Sequence, residues 1–145
     1  MKVSKEQRES IRMMFGGRCA YCGCELSAGW HIDHVKAVGH DLDYRPGRYD
    51  ENDNYIPSKY VKNGRVLRPE NDTIENLYPA CRACNIDKSS MPLEEWRQDL
   101  EELPNRMRKY LPNFRHAERF GLLVQMDVKV VFWFEKYRAN QNLSA

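Results

Sequence analysis

Two sets of residues in this chain have types and spacings that could do chemistry. The first is the run His31-Ile32-Asp33-His34, joined far downstream by Asn85. A histidine exchanges its proton near neutral pH, so it can take one from a nucleophile. Aspartate and asparagine offer hard oxygens of the kind that hold Mg²⁺ or Mn²⁺. Such a cation stabilises the charge that builds on a phosphorane and on a leaving oxygen. Together these groups could hydrolyse a phosphodiester.

The second set is four of the five cysteines, in two Cys-x-x-Cys turns, Cys19/Cys22 and Cys81/Cys84. Each turn brings two thiolates to one side of a tight loop, and two turns complete the tetrahedral sulfur shell of a structural zinc site. One such turn alone would read equally well as a redox pair. Two in one short chain of the cytosol, where disulfides are disfavoured, point to Zn²⁺. Cys24 is left over; it could replace Cys22, but the Cys19/Cys22 spacing matches the second turn, so we read it as a neighbour of the site.

A lone histidine is more often structural than catalytic. Here two histidines, an aspartate and an asparagine are all tied to one metal scaffold. His31-Ile-Asp33-His34, then Glu75-Asn76-Leu77, then Cys81-x-x-Cys84-Asn85-x-x-Lys88 resembles the signature of the HNH endonucleases, and more narrowly their phage-type zinc-knuckle branch. The resemblance runs from about Arg18 to Lys88. It implies an α+β fold with a ββα-metal core, a β-hairpin packed on a helix around one catalytic ion. It implies that His34 is the general base, that Asp33 and Asn85 ligate Mg²⁺ or Mn²⁺, and that Asn76 holds the loop that orients His34. Its implied substrate is DNA, double-stranded. One active site would cut both strands in two passes or as a homodimer. Two features depart from the pattern. The stretch between His34 and Asn76 is long, which implies an insertion within about Gly39 to Asp72. Asparagine, Asn85, stands where the family name has its last histidine, which bears on the choice of metal.

Other residues carry open roles. His31 could touch the ion or the scissile phosphate, or cap the zinc lobe; as a ligand it would favour Zn²⁺ or Ni²⁺. Lys88 could bind phosphate or be a solvated helix lysine. Adjacent strand residues point to opposite faces, so Asp33 and His34 can share a site only where the strand is distorted or ends.

The elements that must position these groups follow from local signals. Ser4 to Phe15 reads as a helix, with Ser4 and Gln7 as a capping box and Gly16-Gly17 as its stop. A short strand is expected around Trp30 to Val35. Asn63-Gly64 between Tyr60 and Leu67 reads as the type I′ turn of a hairpin. A helix is expected from Arg82 towards Lys88, a second from Leu93 to Leu103 between two prolines, and shorter ones over Asn105–Leu111 and Phe114–Phe120. Val128 to Phe134, β-branched and aromatic, reads as a strand, and Asn140 to Ala145 as a frayed tail. The whole reads as one domain: a core over about 18–90, an insertion over about 39–72, and a mainly helical extension over about 91–145.

The 145 residues carry a formal net charge of +2, too small to mark a nucleic-acid binder by itself. Its distribution says more. Lys59, Lys62, Arg65 and Arg68 stand without an acid among them, beside Tyr55 and Tyr60, as in a ribbon that contacts a groove or a backbone. Arg97, Arg106, Arg108, Lys109, Arg115 and Arg119 offer further phosphate contacts. Both sets could equally be solvated surface. Phe132, Trp133 and Phe134 read as core or as an oligomer contact. No segment has the run of about 20 apolar residues that a membrane span needs, and the charged start lacks a signal region, so the expected place is the cytoplasm, that of the host for a phage protein. Two other readings stay open: a zinc-knuckle module that binds nucleic acid without cutting it, and a structural zinc protein whose C-terminal part is an interaction surface.

Overall fold

A computed structural model describes residues 2–143. It is a mixture of helices and small antiparallel strands, and its centre is a strand pair followed by a helix. Helix α1 (Lys5–Met13) opens with the expected capping box. Ser4 Oγ accepts from the Gln7 amide at 3.2 Å, and Gln7 Oε1 accepts from the Ser4 amide at 2.9 Å. Ile11 and Phe15 bury the apolar side of this segment. Gly16 and Gly17 then turn the chain with φ of +69° and +71°, where a side chain would be strained.

Strand β1 (His31–His34) leads into a long excursion. Strands β2 (His40–Arg45), β3 (Arg48–Tyr49), β4 (Tyr55–Ile56) and β5 (Lys59–Val66) form one folded-back ribbon, with β2 paired to β5 and β3 to β4. Two short 3₁₀ turns, Pro69–Asn71 and Ile74–Asn76, return the chain to β6 (Leu77–Ala80). Strand β6 is buried along its whole length and pairs antiparallel with β1, setting Asp33 opposite Tyr78 and His34 opposite Leu77. Helix α2 (Arg82–Lys88) follows at once. Cys81 caps it, its Sγ accepting from the Cys84 amide at 3.4 Å.

The ribbon differs from its expected form. Asn63-Gly64 is not a hairpin turn. Of the two residues only Gly64 has positive φ, +88°, whereas a type I′ turn needs it at both. The pair lies inside β5, at a shift of register opposite the stretch between His40 and Leu42. There the Asn63 amide donates to Asp41 and Asp43 at 3.1 and 3.0 Å, and its oxygen accepts from the Arg65 amide at 2.9 Å. The true reversal is at the ribbon's tip, where Asp50 Oδ1 accepts from the amides of Asn52 and Asn54, both at 2.9 Å.

Helices α3 (Leu93–Glu101), α4 (Leu103–Tyr110), α5 (Pro112–Arg119) and α6 (Trp133–Leu143) complete the chain. Pro104 lies in the first turn of α4 rather than stopping a helix. The expected strand over Val128–Phe134 is absent: 128–132 pair with no strand, and α6 begins at Trp133. Its backbone groups find other partners. Val130 accepts from Arg97 Nη1 at 2.6 Å and donates to Glu101 at 3.0 Å. The amides of Trp133 and Phe134 donate to Tyr21 and Ala20 at 2.9 and 2.8 Å. Helix α6 also runs through Asn140–Leu143, part of the expected tail; Ser144 and Ala145 lie outside the described residues.

The core is aromatic. Phe15, Tyr78 and Phe134 meet on one side, Tyr21, Trp96 and Phe132 on the other. Trp96 stacks on Phe132 with centroids 5.2 Å apart, and Tyr21 meets Trp96 edge-on at 5.0 Å. Phe132 and Phe134 are therefore core. No residue of 39–76 belongs to this cluster. Among the described residues no helix is long and apolar enough to cross a membrane.

Candidate functional site

The four paired cysteines converge. Their sulfurs all lie within 4.8 Å of one another, placed to hold a metal ion such as zinc. Cys22 Sγ and Cys81 Sγ are 3.8 Å apart, the edge of a sulfur tetrahedron around an ion at the usual Zn–S distance of about 2.3 Å. The local folding explains the convergence. The first knuckle closes on itself, with the Gly23 amide donating to Cys19 at 3.0 Å and the Cys19 amide to Cys24 at 2.8 Å. The Ala20 amide then donates to Pro79 at 2.8 Å, which docks this knuckle beside β6 and so beside the second. A hydrogen bond from Cys84, with backbone amides behind it, lowers the Cys19 thiol from its ordinary value, and the same contact together with burial raises Cys84. Cys24 stays outside the set of four.

A polar cleft of about 600 Å³ lies between the end of β1 and the C-terminal half of α2, lined among others by Asp33, His34, His40, Asp72, Asn85 and Ser89. A larger apolar cleft, about 810 Å³, lies against Trp96 and Phe132 and contains none of these. The strand pair and helix thus bring Asp33, His34 and Asn85 to one opening. His34 Nε2 is 3.0 Å from Asp72 Oδ1. Asn85 Nδ2 is 3.4 Å from His31 Nδ1. Asn76 reaches back to the loop after β1: its Oδ1 accepts from the Lys36 amide at 2.9 Å, and its Nδ2 donates to the carbonyls of Lys36 and Asn71, both at 2.8 Å.

Two residues were not legible as parts of this site. Tyr21, between the first two cysteines, donates its hydroxyl to Asp33 Oδ2. Burial, and then the charge of Asp33, raise the Tyr21 phenol far above its ordinary range, so it stays a donor. Its position inside a knuckle was the only available signal. Asp72 sits in a polar loop with no periodicity or motif to single it out.

Lys88 is a correction. It is fully buried, with Nζ 2.9 Å from Asp33 Oδ2 and donating to the His34 carbonyl at 3.0 Å. It is therefore neither a solvated lysine nor open to a phosphate; it ties the last turn of α2 to β1. Removing one partner of a buried ion pair strands the other charge, at a cost of about 3–5 kcal/mol. Lys88→Met is accordingly expected to lower the stability measured by urea unfolding by that amount. An unchanged midpoint would mean that Asp33 does not depend on this lysine.

The basic residues divide sharply. Arg97 is bound by Glu94 and Glu135, Arg106 by Asp99, and Arg108 by Glu118. Arg115 donates to the carbonyls of Arg108 and Lys109. These four helical arginines link α3, α4, α5 and α6 to one another. On the ribbon Arg65 pairs with Asp41 at 3.3 Å. Lys59, Lys62 and Arg68 form no ion pair among the described residues.

No protein-family model matches the chain, and neither does any curated protein or solved structure.

Proposed function

We propose that this chain is an HNH-type endonuclease that hydrolyses DNA with a histidine base and one divalent cation, on a zinc-stapled ββα core. The observation that carries this reading is the meeting of Asp33, His34 and Asn85 at one polar cleft, formed by two antiparallel strands and the helix that follows them. Asp33 and Asn85 supply hard oxygens, which fit Mg²⁺ or Mn²⁺. Asn85 turns its amide nitrogen to His31, which leaves its carbonyl oxygen to ligate the cation. The cation, when bound, would stabilise the charge on the phosphorane and on the leaving oxygen.

The chain's own groups do the rest. Asp72 accepts from His34 Nε2 and fixes the ring with Nδ1 as the free base for the attacking water. Asn76 pins the loop at Lys36, directly after β1, and so holds the strand end that carries His34. In the cysteine cluster, Zn²⁺ would join the two knuckles and hold the start of α2, hence Asn85, against the N-terminal lobe.

A binding module that does not cut is the second reading. The ion pair of Asp33 with Lys88 favours it, since that bond gives the aspartate a structural use. Conversion of supercoiled plasmid separates the two. Wild type is expected to produce nicked or linear DNA in Mg²⁺ or Mn²⁺ and none in EDTA. DNA bound but intact in every metal would transfer the chain to the second reading.

A further inference from the structure

The ribbon is not straight. Between Arg45↔Lys59 and Arg48↔Ile56 the ladder stops, because Pro46-Gly47 faces Pro57-Ser58 and proline has no amide to donate. The two halves of the ribbon meet there in an elbow. Gly47 allows it: a Cβ at this position would strike the Tyr55 hydroxyl and stand 3.2 Å from the Ser58 amide nitrogen.

A pocket of about 460 Å³ opens at the elbow, lined by Arg45, Pro46, Arg48, Ile56, Pro57 and Lys59. Three of the six are cationic and none is acidic. None of the three forms an ion pair among the described residues, although most of the chain's other arginines have found a carboxylate or a carbonyl. Arg45 and Lys59 are, in addition, direct cross-strand partners. Their Cβ atoms are then about 4.5–5.5 Å apart, a placement that destabilises a strand pair when the charges are alike. A polyanion in the pocket would turn that repulsion into attraction. Exposed tyrosines flank the elbow, Tyr44 against Tyr60 on one side and Tyr49 against Tyr55 on the other, each pair with centroids 5.3 Å apart.

We propose that the elbow is an anion site, formed by Arg45, Arg48 and Lys59, that grips a backbone phosphate of nucleic acid away from the place of cleavage. This deepens the nuclease reading and rests on its nucleic-acid substrate. The base of the ribbon, His40 and Val66, lines the polar cleft. At about 3.3 Å per strand residue, the elbow stands about 17–23 Å from that cleft. With one phosphate per about 3.4 Å of duplex axis on each strand, the gripped phosphate would lie about 5–7 base pairs from the scissile bond. The site carries no base-reading geometry, so it sets reach and register rather than sequence.

The test measures binding of a 30-base-pair duplex in EDTA by fluorescence anisotropy across a salt series, so that it does not depend on cleavage. Each lost phosphate contact removes about 0.9 from the slope of log affinity against log salt. Arg45→Gln/Arg48→Gln is expected to flatten the slope by about 2 and Lys59→Gln by about 1. A second arm records melting midpoints in inorganic phosphate against chloride at equal ionic strength. Unchanged slopes with a phosphate-dependent midpoint that the double variant loses would make this a site for free phosphate and overturn the nucleic-acid anchor. Unchanged slopes and no phosphate effect would remove the site altogether. If wild type never cuts plasmid yet the slopes flatten, the anchor stands and the nuclease reading falls.

Discussion

Cys81→Ser is expected to lose its bound metal and its cooperative fold together. Cys81 has two uses, as one of the four converging sulfurs and as the cap of α2. Its knuckle lies 59 residues from Cys22, and the metal would close that distance. Structural zinc sites bind with about 10–16 kcal/mol of apparent free energy at neutral pH, whereas a whole domain has about 5–15 kcal/mol of net stability. Losing even half of the first exceeds much of the second. Metal analysis should show about one zinc per wild-type chain and less than about a tenth in the variant. The thermal transition should become broad and non-cooperative, and a chelator should do the same to wild type. Cys24→Ser, outside the four, should keep both metal and midpoint. A Cys81→Ser protein that stayed loaded and equally stable would remove the staple from the account.

His34→Ala should abolish plasmid cleavage, with a loss of about 10²–10⁴-fold from the missing base. The fold should survive: the side chain is about one-third exposed and hydrogen-bonds to Asp72, a bond of about 0.5–1.5 kcal/mol. The variant should keep the wild-type zinc content and DNA affinity. Added imidazole should restore part of the rate, which a purely structural role would not allow. Cleavage at the wild-type rate would take the base away from His34.

Much of the local structure was legible in the sequence, because it rests on signals a few residues long. The capping box at Ser4, the two knuckles and the start of α2 after Cys81 depend on neighbours within one turn. Asp33, His34 and Asn85, which meet at the cleft, stood out in the sequence by residue type. What could not be read was where side chains go across the fold. Lys88 looks like any helix lysine until β1 lays Asp33 over it. Arg97 and Glu135 are separated by 38 residues, and nothing in either segment announces their pairing. Asn63-Gly64 has the composition of a turn, but β2 offers Asp41 and Asp43 to Asn63, and the strand continues. Val128–Phe134 has the composition of a strand, but no neighbouring strand is there to receive it, and Arg97, Glu101, Tyr21 and Ala20 take its backbone groups instead.

The way the ribbon is attached has a bearing on how such a protein can be altered. His40 and Val66 are register partners, so the arm leaves and rejoins the body at points about 5 Å apart. It contributes no side chain to the aromatic core. An arm of this kind is a cassette: a short turn joining positions 40 and 66 would close the gap. Lengthening a connection is also cheap, since each doubling of a flexible loop costs only about 0.6 kcal/mol. On the nuclease reading proposed above, reach along the nucleic acid and chemistry at the bond would be carried by separately replaceable pieces of one chain.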